Sequence, residues 1–244
     1  MKRLSLILII VVASSTLGFS AAPQAQPADS GNPLDAVLKK MDATAASFHS
    51  VQADFEWDTY EKVINEVDDI QTGTVYYRRN GKNIEMMAVV KMAGSDPTKQ
   101  KSEPKYVLFS NGKISMYQPK PDTVTVYDLG KNFESYVVLG FGGSGQDLVK
   151  SFDVTYVGPE TIEGVATAKL QLIPKSEKVR NTYNKILLWI DLDKGISVQQ
   201  QFFTPQGDYR LTKYQNIDLN GKKIPDEVFK LKTTSKTQTI SPKG

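Results

Sequence analysis

The chain has 244 residues, no cysteine, a single histidine, and 30 lysines and arginines against 27 aspartates and glutamates. Without cysteine there is no disulfide, no thiol nucleophile, no thiolate metal site and no thiol to carry a lipid anchor. Two of the basic residues, Lys2 and Arg3, belong to the opening segment; the rest of the chain is within one charge of neutral, which removes the electrostatic motive for binding nucleic acid.

That segment, MKRLSLILIIVVASSTLGFSAAPQA, places Lys2 and Arg3 before an apolar stretch from Leu6 to Ala13 and follows it with small residues. This is the pattern of a secretory signal peptide over residues 1–22, cut between Ser20 and Ala25. Its apolar core is shorter than the roughly 20 residues that cross a bilayer. Residues 23–33 read as a polar, flexible leader, and 34–244 suit one domain large enough to bury a core.

From Leu34 to Ser47, Leu34, Val37, Leu38, Met41 and Ala45 share one face at helical spacing, with Lys39, Lys40 and Asp42 off it. The period then changes. In VQADFEWDT, Val51, Ala53, Phe55 and Trp57 alternate with Gln52, Asp54, Glu56 and Asp58, so one side of a strand is wet and the other apolar. Further strands follow at GTVYYRR, NIEMMAVVKM, the hairpin YVLFSNGKISMYQP turned by Asn111 and Gly112, and DTVTVYDL. After an interlude come FDVTYVGPETIEGVATAKLQLIPK, YNKILLWIDLDKGISVQQQFF and GDYRLTKYQNIDLNGKKIP. Successive hairpins predict a mainly β chain with a few helices: one strongly curled antiparallel sheet.

The interlude, Phe133 to Phe152, clusters apolar residues around a glycine-rich centre, with flanks long enough for about two helical turns each. It reads as a flap over the sheet. Gly140, Gly142 and Gly145 match the G-x-G-x-x-G fingerprint literally, but a dinucleotide site needs a parallel βαβ unit, and antiparallel strands resume at Phe152. Flexible flap glycines are the simpler reading.

Other chemical signals are weak. His49 would have to anchor any Ser/His/Asp triad alone, and its place at the helix exit favours a surface or capping role. Asp191 and Asp193 could serve as an acid and base pair, but DLDKG reads first as a hairpin turn. Lys91 to Lys105, charged and proline-containing, reads as a solvated connection. No catalytic residues, metal ligands or cofactor are assigned.

A curled sheet must cover its apolar face, and the chain offers only the first helix and the flap. Two small covers leave room for an apolar cavity, lined by Val37, Met41, Phe55, Trp57, Val75, Tyr77, Phe109, Met116, Val137 and Leu139; methionine suits irregular ligands. One residue breaks this pattern: in GTVYYRRNGK, Arg79 falls in step with Val75 and Tyr77. Either it snorkels to water, or its guanidinium has a task on the apolar side.

The ordered set of helix, SFHSVQADFEW, GTVYYRRNGK, YVLFSNGKISMYQPKPDTVTVYDL and PQGDYRLTKYQNIDLNGKKIPDEVFKL resembles the LolA-like periplasmic carriers of outer-membrane lipoproteins across nearly all of the chain after the leader. Phe48, Phe55, Gly73, Val75, Tyr77, Arg79, Asn111, Gly112, Tyr117, Pro119, Gly207, Asn216, Asn220, Ile224 and Phe229 carry the resemblance. It implies an unclosed β-barrel with a helical lid, and a periplasmic carrier that moves acylated lipoproteins from an inner-membrane ABC transporter to an outer-membrane acceptor; a carrier with a mobile lid can work as a monomer, and with no nucleophile, metal cluster or acid and base pair in the sequence no enzyme is expected. It also implies that Arg79 is a latch, hydrogen-bonded to the lid in the empty carrier. A sensor or scaffold on the same fold, or a carrier of free lipid, is the alternative. Asn80 stands where the family usually has proline, the Lys91 to Lys105 connection is long, and the tail TTSKTQTISPKG matches only loosely.

Overall fold

Helix α1 runs from Pro33 to Ser47 in the computed structural model, which describes residues 31–80, 83–128, 136 and 139–242. The proposed signal segment, Val137 and most of the first half of the flap lie outside the described residues. Pro33 enters α1 where no helical N–H is needed, and the Asn32 side chain accepts from Leu34 N at 3.1 Å. Val37 and Met41 face inward; the helix stops at Phe48, whose backbone is extended.

Twelve strands follow: β1 (Ser50–Glu61), β2 (Glu66–Asn80), β3 (Asn83–Gly94), β4 (Lys101–Ser110), β5 (Lys113–Gln118), β6 (Thr123–Asp128), β7 (Phe152–Ile162), β8 (Val165–Pro174), β9 (Lys185–Asp191), β10 (Ser197–Phe203), β11 (Tyr209–Leu219) and β12 (Gln238–Ile240). They form one sheet in the order β12-β6-β5-β4-β3-β2-β1-β11-β10-β9-β8-β7. Its two edges are not joined by hydrogen bonds, so the sheet is an unclosed barrel. Pairing is antiparallel except between β12 and β6. The sheet therefore consists of two meanders joined side by side at β1 and β11. Strand β7 is one end of the order and β6, which precedes it in sequence, lies next to β12 at the other, so the chain between them joins opposite sides of the strand order.

That crossing segment ends in the short helix α2 (Gly145–Ser151), whose N-cap Ser144 accepts from Asp147 N. A third short helix, α3 (Glu177–Arg180), connects β8 to β9. Two core clusters fill the inner face. Phe48, Phe55, Val75, Tyr77, Phe109 and Phe141 belong to one; Val37, Met41, Leu139, Leu148, Leu170 and Leu188 belong to the other. A third, on the outer face, holds Met87 against Ile224 and Phe229 from the chain after β11.

Several strands extend past their expected ends. β2 begins at Glu66, seven residues before Gly73, because pairing with β1 carries a charged, largely exposed ladder in which Ile70 and its partner Asp58 are buried. The connection expected from Lys91 to Lys105 is mostly strand: Met92 pairs with Ser102 and Ala93 with Lys101, leaving a 3-10 turn at Pro97–Lys99. Its charged residues describe a solvated ladder rather than a loop. The loosely matching tail supplies β12, anchored where Thr234 and Thr237 donate to the Asp122 carboxylate. Asp191 is a turn residue, accepting from Asp193 N and Lys194 N.

Gly73 is required by packing. A β-carbon there would meet the Val89 carbonyl oxygen at 2.0 Å, at a register shift between β2 and β3. Backbone cannot yield as a side chain can, so Gly73→Ala is expected to destabilise the fold by about 1–3 kcal/mol. A urea melt with a lowered midpoint and unchanged slope would show it; an unshifted midpoint would contradict the close approach.

Candidate ligand-binding site

The inner face is where an apolar ligand would sit, and in this structure it is occupied by the chain itself. Phe55, Val75, Tyr77 and Phe109 are buried in one cluster, with Trp57 packed half-buried against them and stacked on Phe55 at 4.3 Å. Met116 pairs with Val107, which packs on the same cluster, and is itself half-buried. Val37, Met41 and Leu139 are in the neighbouring cluster, under α1 and the crossing segment. The structure thus divides the expected lining between two adjoining clusters. Val137 lies outside the described residues.

The residue that fills the inner face is Phe141, which sequence reasoning passed over. It is fully buried. Its ring stacks on Tyr77 at 5.0 Å and meets Tyr214 edge-on at 4.7 Å, both favourable aromatic arrangements. Gly140 and Gly142 on either side have φ of +80° and +76°. A β-carbon at Gly142 would come within 2.7 Å of the Phe48 ring, and one at Gly140 within 2.4 Å of the Ser197 side chain. At Gly145 it would meet the Leu38 carbonyl of α1 at 2.5 Å. These glycines let the backbone dip into the sheet and press α2 against α1, which is a packing role rather than flexibility alone. The sequence shows GFGG, an aromatic residue enclosed by glycines, but nothing in it says which way the ring faces.

Polar groups run beneath this plug. Ser197 N donates to the Gly140 carbonyl at 2.9 Å, and Gln200 Nε2 donates to the Leu139 carbonyl at 2.6 Å. On its other side Gln200 Oε1 receives the Tyr214 hydroxyl over a long 3.5 Å. The Tyr214 hydroxyl also faces that of Tyr77. Burial raises the pKa of both tyrosines well above the ordinary value, so both stay neutral donors and acceptors.

Arg79 reaches the lid from the end of β2. Its Nε donates to the Phe48 carbonyl at 3.3 Å, and Nη2 donates to the Ala45 carbonyl at 3.4 Å and the Gly142 carbonyl at 3.3 Å. The first two are carbonyls at the C-terminal end of α1, where a cation also complements the helix dipole. The guanidinium bridges α1 and the crossing segment. It does so at the solvent edge: Arg79 is exposed, and only its strand position is in line with Val75, Tyr77 and the buried partner Ile84. A guanidinium enclosed by apolar side chains is therefore not what the structure has, because the strand ends there and the long side chain carries its charge to the rim. His49 is also exposed, as a surface role requires; its carbonyl accepts from Arg79 N at 2.8 Å and its N–H donates to Asn220 Oδ1.

No family model and no curated protein matches the chain. Among solved structures, an uncharacterized conserved protein from Thermus thermophilus superposes with a TM-score of 0.51 at 9% identity, over 85% of this chain and 98% of that one. MucB superposes with a TM-score of 0.50 at 10% identity, over 86% of this chain and 66% of MucB. A LolA superfamily protein from Nitrosomonas europaea shares 13% identity over 81% of this chain and 97% of its own, with a TM-score of 0.40. At such identities the likeness is one of fold. The unclosed barrel under helices, which the LolA resemblance implied, is the architecture observed.

If Phe141 fills the space between Tyr77 and Tyr214, Phe141→Ala should leave a void. The expected loss is about 3–5 kcal/mol in chemical denaturation. An apolar dye should also brighten with the variant and not with the native protein. Native-like stability without dye uptake would show that the ring is not the plug.

Proposed function

We propose that this protein is an extracytoplasmic carrier of acylated proteins, exported by its opening segment, that takes acyl chains between the sheet and the segment carrying Phe141. The observation that carries this reading is the closed arrangement itself. An inserted aromatic side chain covers the apolar inner face beside α1, and one arginine joins the two covers at the rim, with two long hydrogen bonds to the end of α1 and one to the covering segment. A permanent core has no need of such a removable cover.

The energetics suit carriage. Each methylene taken from water is worth about 0.8 kcal/mol, so a long acyl chain resists leaving a membrane by about 10 kcal/mol. A carrier replaces the membrane for that chain and must later release it, which calls for a moderate grip. The closed lid moderates the grip, because ligand entry has to displace Phe141 from Tyr77 and Tyr214 and break the bonds made by Arg79. Exposed and long, those bonds oppose entry by about 1–2 kcal/mol in total. The carrier works as a monomer in the periplasm, receiving cargo from an inner-membrane transporter and delivering it to an outer-membrane acceptor. None of these steps needs chemistry from the protein.

A second reading, a sensor that binds a stable protein partner when it holds lipid, is supported by the MucB-like fold. The two differ in what travels with the protein. Native and denaturing mass spectrometry of protein purified from its own compartment without detergent separates them. One acylated protein per carrier is the expected result; a stable complex with an unacylated protein partner would favour the sensor, and lipid alone a free-lipid carrier.

The latch is tested by Arg79→Leu. Losing the rim bonds while keeping the side chain's apolar bulk should tighten ligand retention about tenfold and slow release to acceptor vesicles. Unchanged retention and release in this variant would remove Arg79 from the mechanism.

A further inference from the structure

The two carbonyls that the covering segment turns toward the sheet, those of Leu139 and Gly140, are consecutive, and each meets a donor on β10. Ser197 N–H reaches the Gly140 oxygen and the Gln200 amide reaches the Leu139 oxygen. Both donors lie in the apolar inner face: Ser197 is fully buried and Gln200 is 5% exposed. Ser197 N–H is available because β10 shifts register against β9 between Ser197 and Gln199, which takes that N–H out of the regular ladder. Gln200 is held in orientation from behind, since its Oε1 receives the Tyr214 hydroxyl and its Nε2 is thereby left to donate forward.

These donors are satisfied only while the segment is down. On the carrier reading, an acyl ligand displaces Phe141, and the backbone on either side of that residue moves with it. Two buried donors would then face hydrocarbon, and a buried donor without a partner is unfavourable. A saturated alkyl chain cannot repair this. An ester carbonyl at the head of an acyl chain can, because it offers the same type of acceptor as the peptide carbonyl that has left.

We propose that Ser197 N–H and the Gln200 amide form a carbonyl-binding site for the ester groups of a diacylated ligand, occupied in the closed protein by the carbonyls of Gly140 and Leu139 acting as stand-ins. The inference rests on the carrier reading and adds a chemical selectivity to it. The site distinguishes acyl esters from ethers and bare alkanes of the same length. It also fixes depth, since the head of the ligand is placed where Phe141 enters and the chains run on past Tyr77 and Phe55.

The test compares ester-linked ligands with ether analogues of equal chain length, which differ only in the carbonyl oxygens. Affinities of the full-length processed protein are measured for diacyl phosphatidylethanolamine and its di-O-alkyl counterpart. A parallel pair consists of a diacylglyceryl-cysteine peptide and its dialkyl form. Ester ligands are expected to bind about tenfold or more tightly than ethers, and the pair that shows the larger ratio identifies phospholipid or lipoprotein as the source. Gln200→Met, which keeps the volume and removes the donor, should bring the ratio down toward one. Equal binding of ester and ether by the native protein would overturn the carbonyl site while leaving the carrier reading intact. No binding of either would overturn the carrier reading, and the carbonyl site with it.

Discussion

The structure depends on one constraint: the apolar inner face of an open sheet has to be covered by parts of the chain that lie outside the sheet, α1 and the connection between β6 and β7. A closed barrel could fill its interior with its own strand side chains. Here β6 and β7 lie on opposite sides of the strand order, and the described part of the connection between them packs Leu139, Phe141 and Leu148 against the inner face. Phe141 enters the cluster built on β1 to β4, and Leu139 and Leu148 enter the one under α1. Helix α1 and this connection share the inner face, with Val37 and Met41 from α1 in the same cluster as Leu139 and Leu148.

The end of β2 shows how that cover is fastened. Successive residues of a strand point to opposite faces, so Arg78 and Arg79 work on different sides of the sheet. Arg79 binds α1 and the crossing segment at the inner rim. Arg78 pairs with Glu85 and Asp226 on the outside and lies 4.1 Å over the Phe229 ring, fixing the chain that follows β11 to the outer face. Asn220 ties the same region together, accepting from His49 N and Ser50 N and donating to the Ser47 carbonyl. The α1 exit is therefore held from the outside by side-chain and backbone bonds of 2.7–3.2 Å, and from the inside by Arg79 bonds of 3.3–3.4 Å. The inner fastening has the longer bonds of the two.

Much of this is legible in the sequence because it rests on patterns that a strand or helix imposes. The alternation of Val51, Ala53 and Phe55 against polar neighbours gave the buried side of β1, and the run from Leu34 to Met41 gave the face of α1. Where pairing overrode composition, the pattern misled: the ladders of Glu66 to Thr72 and Lys101 to Lys105 are held by hydrogen bonds between backbones whose side chains are charged and solvated, so they read as loops. Phe141 was hidden for another reason. A plug is defined by what it fills, and nothing local marks a phenylalanine between glycines as facing inward across the sheet. Ser197 and Gln200 were hidden likewise, since their partners, Gly140 and Leu139, are more than fifty residues away in the chain. Arg79 was found because it broke an alternation, although its charge ends at the rim.

Phe141 and the carbonyls beside it make the covering segment an imitation of the ligand proposed here. An aromatic side chain supplies apolar volume, and consecutive peptide carbonyls supply acceptors at its head, which is the chemistry of an acyl chain joined to its ester. Exchange of one for the other conserves the kinds of contact made: apolar surface for apolar surface, acceptor for acceptor. The net driving force is then a small difference between similar terms, set by chain length on the ligand's side and by the Arg79 bonds on the lid's side. A large unopposed apolar pocket would hold an acyl chain with most of the energy by which a membrane holds it, and would release it slowly. On the carrier reading, filling the pocket with a mimic that the protein itself carries would bring binding near balance, the condition in which small changes at donor and acceptor decide the direction of transfer.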